Sequence, residues 1–271
     1  ISGLPSTLVP GAEYFVRFSA KQKNATLWQN AGYEEASEQI KIAETEKPLY
    51  ENTGNNINYE DNSSSIVITG DNFSAVFSKT NGTLSKYSLN GKDVITEPLT
   101  FNAYRAGTDN DKEHISEWVD MGLNNLKVTA GKWIITNDET AKRVDLQIKN
   151  IYKGNNGNNF TTEMKYSVNA DGVIFVSSVI TPAKTGDILP KVGFICEMPK
   201  EYETMTWYGR GPWENYPDRK EGAFVGVYKQ AVSDQWIKYI RPQEMGNHEN
   251  VRWTSLTDNN GQGAMFVAAD S

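Results

Sequence analysis

The sequence predicts an all-β fold of antiparallel strands. Three observations carry that expectation. Apolar and polar residues alternate along most of the chain, Asn-Gly and Asp-Gly pairs punctuate it, and helical periodicity is nearly absent. With 271 residues, and roughly 150 residues per domain as a guide, the chain has room for one or two domains.

The elements follow in order. Residues 12–20 read as a strand of β-branched and aromatic character, and Gln39–Ala43 as a second. Glu44–Pro48 is charged, ends in proline and reads as a linker; Asn52–Ser65 is rich in Asn and Ser and reads as a loop. Ser65–Thr69 and Phe73–Ser78 pair around Gly70-Asp71-Asn72. Asn81-Gly82 and Asn90-Gly91 flank Thr83–Leu89 and predict a three-strand meander, because Asn-Gly supplies the positive φ values of a tight hairpin. Further strands are expected at 126–129, 132–136, 143–152, 161–168, 173–180, 191–197 and 222–230, with a tight turn at Asp171-Gly172. Asp111–Val119 alone offers a helical turn.

Composition excludes several classes. A net charge of −7 gives no basic stripe for nucleic acid. No apolar run approaches the ~20 residues that cross a bilayer as a helix. The single cysteine, Cys196, rules out an intrachain disulfide; its apolar surroundings, Val192–Cys196, predict a buried structural thiol. Two histidines, His114 and His248, exclude a histidine-rich metal site, and no metal site is expected. Compartment stays open between periplasm and cytoplasm.

Four segments stand out. They are Arg105–Asp111 with Trp118 and Gly122; Leu189–Gly193; Trp207–Arg219, which reads Trp-Tyr-Gly-Arg-Gly-Pro-Trp-Glu-Asn-Tyr-Pro-Asp-Arg; and Pro242–His248, followed by Val251-Arg-Trp253. Together they resemble the small C-terminal domain of bacterial β-galactosidases of glycoside hydrolase family 2. The family usually has proline where this chain has Gly107. Residues 1–44 resemble the tail of the preceding immunoglobulin-like domain, through Trp28, Gly32 and the Gln39–Ile42 strand; a whole domain of that kind takes ~100 residues.

The resemblance implies a partial immunoglobulin-like β-sandwich and linker over residues 1–48. Over 49–271 it implies a large antiparallel supersandwich similar to galactose mutarotase. It also implies that both catalytic glutamates belong to a (β/α)₈ barrel N-terminal to everything here, so no catalytic residue is expected in this chain. The family's domain runs on past Ser271, so its sugar-stacking tryptophan and late strands are expected to be missing and sheet edges to be open for pairing between chains. No cofactor is expected here; the parent family uses Mg or other cations in other domains. The implied role is an accessory part of an enzyme acting on terminal β-galactosides, in a homo-oligomer or in contact through sheet edges, shaping the active-site rim and supporting assembly. The alternatives are a free-standing carbohydrate-binding module and a mutarotase-like aldose epimerase.

By resemblance, the stretch from Trp118 to Asn125 faces the barrel's mouth, making Trp118, Gly122, Asn124 and Asn125 rim candidates. Asp109 and Asp111 are read as Asx turns holding backbone amides, with Arg105 beside them. Glu214 and Asp218 lie in a loop kinked by Pro212 and Pro217, which reads as a rigid turn ending at Arg219. Trp207, Trp213 and Tyr216 are expected to bury its apolar side. Glycoside hydrolysis would need two carboxylates about 5 Å apart, or farther for inversion, and Glu214 is the one most easily mistaken for a member of such a pair.

Overall fold

The computed structural model of the chain describes residues 7–269. As expected, it is antiparallel β-structure throughout. The core forms where two sheets face each other. The first is a five-stranded meander of β3 (Ile57–Asp61), β4 (Ser65–Gly70), β5 (Phe73–Ser78), β6 (Thr83–Leu89) and β7 (Lys92–Ile95). The second is built on two eleven-residue strands, β11 (Arg143–Lys153) and β12 (Asn159–Asn169). They are flanked by β10 (Ile134–Asp138) and β13 (Ile174–Pro182), with β9 (Lys127–Thr129) on the far end of β11.

Alternation decides which faces meet. Ile66 and Ile68 of β4 and Phe73, Ala75 and Phe77 of β5 point inward, against Val144, Leu146 and Ile148 of β11 and Met164, Tyr166 and Val168 of β12. Burying one such side chain contributes about 1.5–3 kcal/mol, so this inner layer dominates the folding free energy. Tyr166, Thr83 and Asn150 pair their polar atoms there, while the buried Thr162 hydroxyl has no partner among the described residues. Tyr166 Oη lies 3.1 Å from Thr83 Oγ1, which donates to the Leu99 carbonyl. Asn150, fully buried, donates to the Gly82 carbonyl at 2.7 Å and accepts from the Gly131 amide at 3.2 Å, tying two turns to β11. Gly82 has φ +65°, and an added Cβ there would lie 2.3 Å from Asn150 Oδ1, so no other residue fits.

A second core cluster sits at one end of this sandwich. It joins Phe101 and Ala103 to Trp118, Leu123, Tyr152 and Phe160. Phe101 belongs to β8 (Glu97–Asn102), which pairs with β14 (Gly193–Glu197). Trp118 belongs to the short helix α1 (Ile115–Asp120). The last sheet runs in the order β16 (Phe224–Ala231), β15 (Thr204–Gly211), β17 (Trp253–Thr257), β18 (Gly263–Val267). Its Leu256 and Ala264 pack on the main core.

Several expectations need correction. Asn52–Ser65 holds an edge strand, β3, whose Tyr59 pairs with Ile68; its ladder comes from β4 rather than from its own composition. Strand β7 is the third strand of the predicted meander, whereas β8, β15, β17 and β18 lie where none was predicted. The predicted helical turn divides into a 3₁₀ turn at Asp109–Asp111 and α1. Cys196 is half-buried, and burial pushes its thiol up.

The N-terminal region forms a hairpin of β1 (Glu13–Lys21), close to its predicted bounds, and β2 (Glu34–Glu44), longer than predicted because it pairs along the length of β1. Residues 1–6 of the expected 1–48 unit lie outside the described residues. None of its described residues is buried, so its attachment is polar. Glu13 accepts two hydrogen bonds from the Arg252 guanidinium, at 2.7 and 2.8 Å, and one from Tyr208 Oη at 2.8 Å. The Gln39 side chain exchanges two hydrogen bonds with the backbone of Val225, as a neighbouring strand would. Arg17 stacks on the Phe224 ring, 4.9 Å from its centre.

The Arg252 hydrogen bonds, outweighing burial, hold the Glu13 carboxyl down at about 2. Its stabilisation is therefore complete above the ordinary carboxylate range and disappears as pH falls from about 4.5 towards 2. We predict that Glu13→Gln weakens hairpin attachment by about 1.5–3 kcal/mol, the net worth of a hydrogen bond to a charged group. Hydrogen exchange at neutral pH should show faster exchange in β1, β2 and facing β16, with β11 and β12 unchanged. Unaltered exchange in the hairpin would contradict the assignment.

Candidate functional site

The four segments singled out in the sequence converge at one side of the molecule. Arg105 leaves the end of β8 and grips Asp111 with both terminal nitrogens, at 2.6 and 3.2 Å. Its Nε donates to the Pro190 carbonyl at 3.1 Å, joining the first segment to the second. Asp111 also takes the backbone N–H and the hydroxyl of Thr108, at 2.6 and 2.7 Å. Burial pushes the Asp111 carboxyl up, but Arg105 and Thr108 outweigh it and bring it to about 2. Asp111 is thus an ionised brace. Asp109 is exposed and meets Arg241 at 3.3 Å.

The third segment starts in β15. Trp207 is fully buried, donates to the Arg210 carbonyl at 3.0 Å, and lies between Tyr228 and His248. Beyond the cis Gly211–Pro212 peptide the chain makes the predicted rigid loop. Glu214 points inward and is only 5% exposed. One of its oxygens accepts from both Arg219 and Tyr239 Oη; the other accepts from the Gly246 N–H at 2.7 Å. Burial works to raise its carboxyl, yet the bonds from Tyr239, Gly246 and Arg219 prevail and lower it below the ordinary range. Next to it, fully buried Asn215 donates its backbone N–H to the Asn247 carbonyl at 2.8 Å, its own carbonyl accepts from the Asn247 side-chain amide at 2.7 Å, and its side-chain oxygen accepts from the Glu249 N–H at 2.8 Å. The third and fourth segments therefore form one clasp. Trp213, expected inside, is 64% exposed, because Asn215 and Trp207 occupy the interior of the turn. Tyr216 is buried as expected, with the Arg219 guanidinium 4.9 Å over its ring.

Between the first segment and this clasp lies an open cleft of about 390 Å³. Thr108–Asp111 line one part and Tyr216–Arg219 another, with Tyr239, Gln243 and Glu244 completing it. Asn110 donates to Asp218 across the cleft at 3.0 Å. Sequence reasoning singled out the segments on both sides of this cleft, including Pro242–His248 with Glu244 and Gly246, but gave those two residues no role and missed Tyr239, because their roles arise only when distant segments meet.

The rim candidates divide. Trp118 is 2% exposed and donates to the Ile188 carbonyl at 2.9 Å, so its ring belongs to the second core cluster. Gly122, buried at φ +74°, ends α1, and a Cβ there would come within 2.8 Å of the Asn155 backbone nitrogen. Asn124 and Asn125 are exposed; Asn125 accepts from Lys127 at 2.8 Å. A smaller cleft near α1, about 230 Å³, involves Met121, Phe160 and Lys184 and none of the four candidates. His248 bonds the Gln235 amide at 2.7 Å rather than a carboxylate, and burial lowers its affinity for a proton. Among the described residues, no group of three or more His, Cys, Asp or Glu is arranged to hold a metal ion. Among the described residues no helix is long and apolar enough to cross a membrane.

Residues 69–270 match the family described as the β-galactosidase small chain. The chain belongs to that family. All four segments lie within the matched region. Among curated proteins, the chain is 30% identical over 262 residues to a β-galactosidase of Priestia megaterium, covering 94% of this chain and 24% of that protein. It is 31% identical over 254 residues to one of Halalkalibacterium halodurans, covering 93% and 25%. A third, from Vibrio cholerae, is 28% identical over 267 residues, covering 91% and 25%. The small-chain sequence thus spans about a quarter of the length of these relatives.

The Glu214 clasp generates a stability prediction. Glu214→Gln keeps the shape but removes the charge that Arg219, Tyr239 and Gly246 converge on. It should lower unfolding stability by about 1–3 kcal/mol, measured by urea denaturation at neutral pH. An unchanged midpoint and slope would show that the clasp contributes nothing.

Proposed function

We propose that this chain is the accessory portion of an enzyme that hydrolyses terminal β-galactosides, shaping the active-site rim and supporting assembly rather than performing the chemistry. Family membership and the names of the relatives support the substrate class. The observation that carries the accessory role is the state of Glu214. A general acid at neutral pH needs a raised carboxyl pKa and access to the leaving group. Glu214 has neither: it is buried, held by three donors and shifted downward. Asp111, the other well-held carboxylate of the segments, is likewise shifted down. The exposed Asn124 and Asn125, next to α1, are the rim residues this reading retains.

The epimerase alternative requires a histidine and a carboxylate converging on one substrate. His248 instead packs on Trp207, 4.4 Å between ring centres, and bonds an amide, which disfavours it.

Two assays test the proposal. The chain by itself should give no turnover of a chromogenic β-galactoside, and activity that follows it through purification would contradict the accessory role. In a polypeptide carrying this chain together with a catalytic barrel, Glu214→Gln should leave kcat within about tenfold, ~1.4 kcal/mol in barrier, while lowering Tm. A loss beyond about a hundredfold with unchanged Tm would place Glu214 in the chemistry, where general acid–base groups contribute typically 10²–10⁴-fold.

A further inference from the structure

We infer that the cleft between the Arg105–Asp111 turn and the Tyr216–Arg219 loop is a binding site for a neutral polyhydroxylated ligand, a monosaccharide or a sugar unit of a longer glycan. The inference goes beyond the accessory role and rests on the cleft alone, not on galactoside hydrolysis.

Groups around the cleft hold unused hydrogen-bonding capacity. The Glu244 carboxylate, half-buried at the cleft, takes part in no hydrogen bond or ion pair among the described residues, and Asp218 uses only one oxygen, towards Asn110. Arg219 commits one terminal nitrogen to Glu214 and Tyr239, leaving Nε and the other terminal nitrogen available. Gln243 uses its oxygen on the Asp109 N–H, which leaves its amide donors unspent. Tyr216 also lines the cleft, with its hydroxyl buried beside the Asn247 backbone and turned away from a ligand. Donors and acceptors are therefore interleaved around one open space.

That mixture selects the ligand class. A metal ion is disfavoured, since the carboxylates do not form a coordinating group and two guanidiniums share the walls. A phosphate or carboxylate ligand would face Asp218 and Glu244 with no unpaired cation to offset them beyond the half-committed Arg219. A hydroxyl both donates and accepts, so a sugar's adjacent hydroxyls can meet carboxylate and guanidinium together. The volume of about 390 Å³ lies at the small end of ligand sites, which span ~300–1,000 Å³. Arg219 already covers a face of Tyr216, so a sugar has no stacking platform there. Binding by hydrogen bonds alone in an open cleft should be millimolar.

The test is an NMR titration of the whole chain with galactose and with glucose, and separately with inorganic phosphate and with magnesium chloride. The expected result is saturable shifts at the Asn110 and Gln243 side-chain amides with either or both sugars, at millimolar Kd. Asp218→Asn and Glu244→Gln should each weaken binding about tenfold, ~1.4 kcal/mol, with Tm unchanged. Neither residue belongs to the Glu214 clasp, so loss of binding can be separated from loss of structure. Absence of saturable shifts with both sugars, shifts that survive both substitutions, or shifts produced by phosphate or magnesium in place of sugar would each overturn the inference. Because this readout needs no catalysis, its failure leaves the accessory role standing, and the reverse holds as well.

Discussion

A buried charge constrains this side of the molecule. Glu214 is almost wholly removed from water, and the effective penalty for burying an ion is several kcal/mol even after relaxation. The chain meets it by bringing donors from three places: Arg219 five residues on, Tyr239 from the loop after β16, and the Gly246 amide from the fourth segment. Those requirements set the path of the loop after β15. They bring Asn215 against Asn247, and Tyr216 and Asp218 to the cleft that Arg105–Asp111 closes from the other side. Asp111 is held by the same means on a smaller scale, one arginine and two groups from Thr108. Both carboxylates are ionised fixtures, the opposite of what proton transfer at neutral pH asks for.

The same economy attaches the N-terminal hairpin. With no buried residue of its own, it cannot rely on area and uses Glu13 against Arg252 and Tyr208 instead. The connection depends on ionisation, whereas the main sandwich depends on the apolar layer between β4–β5 and β11–β12. Hairpin attachment and core stability should accordingly respond differently to pH.

The sandwich core was legible in the sequence because alternation reports burial directly. Phe73, Ala75 and Phe77, or Val144, Leu146 and Ile148, occupy every second position and all point inward. The hairpin turn at Asn90-Gly91 was legible for a similar local reason, with both residues at positive φ. What escaped was structure held by partners far along the chain. The Asn52–Ser65 stretch lacks the usual strand composition, yet β3 forms there because β4 supplies a ladder. Strand β15 was hidden because its glycines and the following proline dominate the reading, while β16 and β17 pair with it on both sides. Trp118 was placed at a rim by resemblance but lies in the core, since a nine-atom indole beside Phe101 and Leu123 gains more from burial than from exposure. Glu214's structural role was legible as a rigid turn, but its donors Tyr239 and Gly246 were not, being 25 and 32 residues away.

Glu214 is a buried, ionised brace, and its own titration tests that most directly. Carbon-13 NMR of the Glu214 side-chain carboxyl, followed from neutral pH downward in the intact chain, should show it charged through the ordinary carboxylate range and protonating only below it, together with loss of the Gly246 amide's protection. A midpoint at or above the ordinary glutamate value of 4.5, with Gly246 unaffected, would contradict the account and return Glu214 to the list of candidate acids.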